Sequence, residues 1–161
     1  IILSRMENGE SYEDAVQYCQ SIGVAETDPA NDVDGWDAAI KVAALVTVLM
    51  DTPMTPQQVK PTGIRGITSE MITKAKADGK RYKLVCTAEK VGDKVEASVA
   101  PQLVDSSSPL YGMMNSSTGL TLRTDVILDY SITLSEKPGM QGGPVETAYG
   151  LFADFVNLAG Q

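Results

Sequence analysis

Histidine is absent from this sequence. With it go the commonest acid–base residue and the commonest metal ligand. Any catalysis has to run on carboxylates, lysine or tyrosine. Cysteine is scarce too, and Cys19 and Cys86 make neither a disulfide framework nor a metal site. Positive charge is in deficit: 13 Lys and Arg face 21 Asp and Glu, a formal net charge of −8. Nucleic acids and anionic membranes both need a basic face, so this balance argues against either as a partner. No stretch approaches the ~20 apolar residues of a membrane-spanning helix. The opening IILSRMENG is too short for a signal peptide and lacks its layout. It reads as the last turns of a helix cut off at its start and stopped at Asn8-Gly9, so the chain is expected to begin inside a longer protein.

What is present is about one domain of chain, 161 residues that are 43% hydrophobic and 21% charged, enough to bury a core. Ser11 is a good N-cap for the helix SYEDAVQYCQSIG, with acidic residues in its first turn and Gly23 at its end. Residues 25–35 read as loop, and a helix is expected from about Asp34 to Met50. Thr55-Pro56 opens a short helical turn, and VKPTGIRGI is extended because Pro61, Gly63 and Gly66 forbid a long helix. Thr68 or Ser69 caps SEMITKAKADG, which Gly79 closes. KRYKLVCTAEKV and KVEASVAPQLV are strand-like runs joined at Gly92-Asp93, a hairpin signal. GLTLRT and DVILDYSITLSE read as two further strands, and VETAYGLFADFVNLAG as a closing amphipathic helix with Pro144 near its first turn. Helices, then strands, then one helix make the fold class α+β: a mixed, largely antiparallel sheet covered by helices on one face.

The segment AETDPANDVDGWDAAIK, residues 25–41, carries five carboxylates and one lysine, and the apolar run VAALVTVLM follows it. Three readings compete. As an EF-hand loop, with Gly35 in the sixth place, the first ligand position falls on Ala30 and the twelfth on Lys41, so the calcium reading fails. As helix capping, the carboxylates suit the dipole of the coming helix, and Asp37 with Lys41 is an ordinary i, i+4 pair. That accounts for Asp34 but poorly for Lys41, the one charge between Ala38 and Met50 in a helix apolar nearly all round. Such a helix is expected to be buried, and its ammonium with it. As a polar site, Asp37 and Lys41 share one helix face, and the preceding loop brings Glu26 or Asp32 beside them. Carboxylates suit a substrate ammonium, and a lysine among them suits proton transfer to or from a hydroxyl.

The sixteen residues ETDPANDVDGWDAAIK closely resemble the homoserine dehydrogenase signature, Glu-x-Asp-Pro-x-x-Asp-Val-x-Gly-x-Asp-x-x-x-Lys, at every fixed place. MENGESYEDAVQYCQSIGVAE, TGIRGIT, KRYKLVCTAE, PLYGMMNSS and GGPVETAYGLFADF are similar to the family's flanking segments, so the resemblance runs the length of the chain. It implies that Lys41 transfers the proton in the hydride step. It implies that Glu26 and Asp37 serve the substrate and place that lysine, and that Asp32 lies near the substrate's amino group. The substrates implied are L-homoserine and L-aspartate 4-semialdehyde, the cofactor NAD or NADP, and the setting a cytoplasmic homodimer in threonine, methionine and isoleucine biosynthesis. The family's N-terminal nucleotide-binding domain, with its G-x-G-x-x-G fingerprint, has no counterpart in these residues. Residues 1–161 are therefore expected to be the catalytic, substrate-binding and dimerisation domain of a longer chain, inactive alone and with no cofactor bound to it. The glycine loop with Gly142, Gly143 and Thr147 would face the nicotinamide end of the cofactor, although Lys137 and Met140-Gln141 depart from the family's glycine pattern. The rivals are a stand-alone binding or dimerisation module that performs no chemistry, and a related dehydrogenase acting on another small amino acid.

Overall fold

The computed structural model describes residues 1–135 and 144–160. The fold is α+β. Among the described residues six α-helices, α1 (Ile2–Glu7), α2 (Tyr12–Ser21), α3 (Ala30–Val33), α4 (Trp36–Leu49), α5 (Ser69–Ala77) and α6 (Pro144–Ala159), accompany five strands. The strands are β1 (Lys60–Pro61), β2 (Arg81–Val91), β3 (Lys94–Val104), β4 (Thr118–Leu122) and β5 (Tyr130–Leu134).

They divide between two sheets rather than joining one. β1 lies parallel to β3, which pairs antiparallel with β2, and β4 pairs antiparallel with β5 in a sheet of two. Gly92, at φ 62°, supplies the left-handed residue that lets β2 turn into β3. The cap residues act as their chemistry dictates. Ser11 Oγ accepts from the Asp14 amide at 3.0 Å, and Thr68 Oγ1 from the Met71 amide at 3.3 Å. Thr55 N–H donates to Gln58 Oε1 at 2.8 Å, closing a capping box on the 3₁₀ turn Pro56–Gln58.

Two expectations are corrected. The segment before α4 is not all loop: Asp28 Oδ1 accepts from the Ala30 amide at 3.1 Å, and one turn of helix, α3, follows. The last strand does not begin at Asp125. Thr124 Oγ1 accepts from the Val126 and Ile127 amides at 3.2 and 2.8 Å, and Arg123 grips Asp129, so these residues form the turn between β4 and β5.

Side chains alternate across a strand, so Leu84 of β2 and Ala97 and Val99 of β3 present one sheet face. Ala39, Val42, Ala43 and Val46 of α4 pack on that face, with Val59 beneath them. Val46 and Val99 are fully buried, each contributing about 1.5–3 kcal/mol by leaving water. A second cluster joins α1, α2, α3 and α5 through Met6, Ala15, Val33, Ile64, Ile67 and Ile72. The junction between α3 and α4 thus sits where the two clusters meet. Among the described residues no helix is long and apolar enough to cross a membrane.

Candidate functional site

Gly35 separates α3 from α4 at φ 84°, a conformation that carries the chain from one helix axis to the next without a Cβ penalty. It also lies close to the sheet, since a Cβ there would stand 3.4 Å from Val99 Cγ1. Asp37 then falls in the first turn of α4 and Lys41 one turn later. Their side chains meet, with Lys41 Nζ 2.7 Å from Asp37 Oδ2.

The expectation of a buried ammonium is corrected. α4 buries one face only, and the Lys41 side chain is 70% exposed, that of Asp37 47%. By helical spacing, Asp37, Lys41 and Val48 lie opposite the core-facing Val42 and Val46, and Val48 is 78% exposed. Lys41 needs no partner to offset burial. It is a solvated cation beside a carboxylate.

Asp32, on α3, is the residue whose electrostatics tie the group together. Burial raises its carboxyl above the ordinary aspartate value. The negative charges of Asp37 and Glu26 raise it further, while the Lys41 ammonium pulls it down. Asp37, Lys41 and Glu26 therefore all act on one carboxyl, and the four residues singled out in the sequence share a neighbourhood. The backbone at Glu26 is held from α2, where Gln20 Nε2 donates to the carbonyls of Glu26 and Thr27 at 3.1 and 3.0 Å.

One further residue belongs here. Cys86 of β2 donates from its thiol to the Ala38 carbonyl at 3.7 Å. Burial raises its thiol, with Lys41 lowering it and Asp37 raising it again. It faces α4 because, two residues from Leu84 and opposite Val99, it lies on the helix-covered face. The strand alternation carried that signal, but a lone cysteine in a strand gives no reason to place it beside Lys41. Gly142 and Gly143, expected at the cofactor, lie outside the described residues, as does the side chain of Thr147. Among the described residues no group of three or more His, Cys, Asp or Glu is arranged to hold a metal ion.

Three open carboxylates with one ammonium between them can hold a cationic amino group and pass a proton to or from a nearby oxygen. None of the four can accept a pair of electrons.

Comparison with known proteins bears on the same segment. The family model described as homoserine dehydrogenase matches residues 1–156. The NAD(+)-dependent homoserine dehydrogenase of Pseudomonas canavaninivorans is 32% identical over 158 residues, covering 98% of this chain and 44% of that protein. The homoserine dehydrogenase of Bacillus subtilis is 33% identical over 156 residues, covering 96% of this chain and 35% of that protein. A crystal structure of S. aureus homoserine dehydrogenase at pH 6.0 superposes with a TM-score of 0.85 at 30% identity, covering 98% of this chain and 39% of that one. The chain spans less than half the length of these relatives.

Proposed function

The chain belongs to the homoserine dehydrogenase family, and on that premise we propose that residues 1–161 are its catalytic, substrate-binding and dimerisation domain, working with an N-terminal nucleotide-binding domain of the same protein. The complete enzyme interconverts L-homoserine and L-aspartate 4-semialdehyde with NAD or NADP, as a cytoplasmic homodimer in the biosynthesis of threonine, methionine and isoleucine. The observation that carries this reading is the placement of Lys41 Nζ at 2.7 Å from Asp37, with Asp32 and Glu26 acting on the same neighbourhood.

Homoserine brings an ammonium and a primary hydroxyl. Asp32 and Glu26 receive the ammonium, which supplies the positive charge that their mutual repulsion calls for. Asp37 holds Lys41 by the i, i+4 contact and so fixes where its Nζ stands relative to the substrate oxygen. In the oxidation, the C–H electron pair leaves as hydride while the hydroxyl proton passes to a neutral Lys41. In the reduction, the ammonium form of Lys41 donates that proton to the aldehyde oxygen of aspartate semialdehyde. A bound nicotinamide supplies the hydride exchange, which carboxylates and an amine cannot perform. The donor set therefore fits one half of the reaction and calls for a cofactor as the other half. Gly142, Gly143 and Thr147 would approach the nicotinamide end of that cofactor from this domain.

The test is oxidation of L-homoserine by the complete protein with NAD or NADP, followed through nicotinamide absorbance. We expect turnover with homoserine and none with a substrate lacking the amino group. Absence of turnover with either nucleotide, in folded protein, overturns the assignment.

A further inference from the structure

The acidic segment has little regular structure of its own: α3 is a single turn, and Gly35 redirects the chain into α4 at φ 84°. A second segment, residues 62–65, lies against it, and the contacts are of three kinds. The Ile64 amide donates to the Val33 carbonyl at 2.7 Å. Gly63 runs so close that a Cβ there would collide with the Val33 carbonyl oxygen and the Asp34 Cα. Arg65 lays its guanidinium on Asp34 as a fork, Nε to Oδ1 and Nη2 to Oδ2, the latter at 3.1 Å. The far end of this segment is anchored as well, because the Thr62 amide donates to the Val99 carbonyl of β3 at 2.6 Å. A continuous path therefore runs from the sheet through residues 62–65 to Asp34, which stands between Asp32 and Asp37 in the chain.

We infer that Arg65 is a positioning residue: through its two-point grip on Asp34, backed by Gly63 and Ile64, it sets the geometry in which Asp32 meets the substrate's ammonium and Asp37 holds Lys41. The inference rests on the proposed role of the acidic segment. The pair lies at the surface, with Arg65 53% and Asp34 38% exposed in their side chains, so it adds little to the stability of the fold. What a two-point fork adds is orientation. A guanidinium meeting a carboxylate in its plane fixes direction as well as distance, and a lysine cannot reproduce that.

The experiment uses the complete enzyme and the variants Arg65→Ala, Arg65→Lys, Asp34→Ala and the Arg65→Ala/Asp34→Ala double variant, with Lys41→Ala as reference. Arg65→Ala is expected to lower kcat/KM for homoserine by ~10- to 100-fold, mostly through KM, since small misplacements of binding groups cost on this scale. KM for the nicotinamide cofactor and the melting temperature should stay near wild type. Arg65→Lys should recover part of the loss, because it restores the charge without the fork. Asp34→Ala should match Arg65→Ala, and the double variant should be no worse than either, as expected of two groups acting as one. The inference is overturned if Arg65→Ala keeps homoserine kcat/KM within about twofold of wild type. It is equally overturned if Arg65→Lys restores activity in full, or if Arg65→Ala also raises the cofactor KM and lowers the melting temperature. Lys41→Ala separates the levels. If it abolishes turnover while Arg65→Ala does nothing, the clamp alone is wrong. If Lys41→Ala also keeps full turnover, the reading of the site itself fails.

Discussion

Replacing Lys41 by alanine should cost the fold almost nothing and the reaction a great deal. Two unit charges at the observed 2.7 Å attract by about 1.5 kcal/mol in water. Holding a lysine side chain in one conformation costs up to about 1.5–2 kcal/mol of entropy. With side chains 70% and 47% exposed, the net is the few tenths of a kcal/mol typical of i, i+4 surface pairs. In a domain of this size that corresponds to a shift of ~1 °C in the melting temperature, which calorimetry resolves. A positioned acid–base group, by contrast, accelerates its step by ~10²-fold or more, equivalent to about 2.7 kcal/mol of barrier. Steady-state turnover of homoserine by the complete enzyme should therefore fall at least ~10²-fold in Lys41→Ala while its unfolding transition hardly moves. The ratio of the two effects is what discriminates. Turnover within a few fold of wild type would refute proton transfer through Lys41 and leave the pair as helix decoration. A large drop in melting temperature would refute the solvated placement of its ammonium.

The other variants probe the neighbours. Asp32→Asn should raise KM for homoserine several-fold and leave kcat nearly unchanged, because the ammonium contact is made alike in ground and transition states; an unmoved KM would assign Asp32 to helix capping. The same variant should be slightly more stable at neutral pH. The folded-state carboxyl is raised, so the native protein binds its proton more readily than the unfolded chain does, and stability is lost as pH rises from 3.8 through the folded value. Asparagine removes that loss, which solvent screening keeps small, and a melting temperature for the variant no higher than wild type at pH 7 would contradict it. Cys86 is exposed as a residue, but desolvation of its sulfur beside the Ala38 carbonyl raises the thiol, so it should react with iodoacetamide more slowly than a free thiol at neutral pH. Lys41→Ala should slow that reaction further and Asp37→Asn should speed it, and a rate indifferent to both would place the thiol away from the pair. Residues 1–161 alone should self-associate in sedimentation and oxidise no homoserine, since apolar side chains such as Ile132, Leu134, Phe152 and Phe155 stand exposed; a monomer, or an active fragment, would refute the proposed division of labour.

Local chemistry was the legible part of this fold. Ser11, Thr55, Thr68 and Gly92 act through partners within a few residues, and their caps and turn form as the sequence predicts. The i, i+4 contact of Asp37 and Lys41 is of the same kind. What the sequence did not disclose is which faces find partners. An apolar run marks α4 as a helix able to be covered on every side, but the described residues cover only the side of Val42 and Val46. That single fact turns Lys41 from a buried cation into a solvated one. The Arg65–Asp34 contact was illegible for a different reason: the two residues are 31 apart, and nothing in TGIRGIT distinguishes an arginine gripping a distant carboxylate from one facing water. Gly63 shows both sides of the problem. Its unfitness for a helix is plain in the sequence, yet the structure demands glycine there for lack of room against Val33 and Asp34. That demand is visible only once the acidic segment has been folded against it. The residues that carry the candidate chemistry were therefore readable as a pattern, while those that hold it in place depend on tertiary contacts that no local pattern encodes.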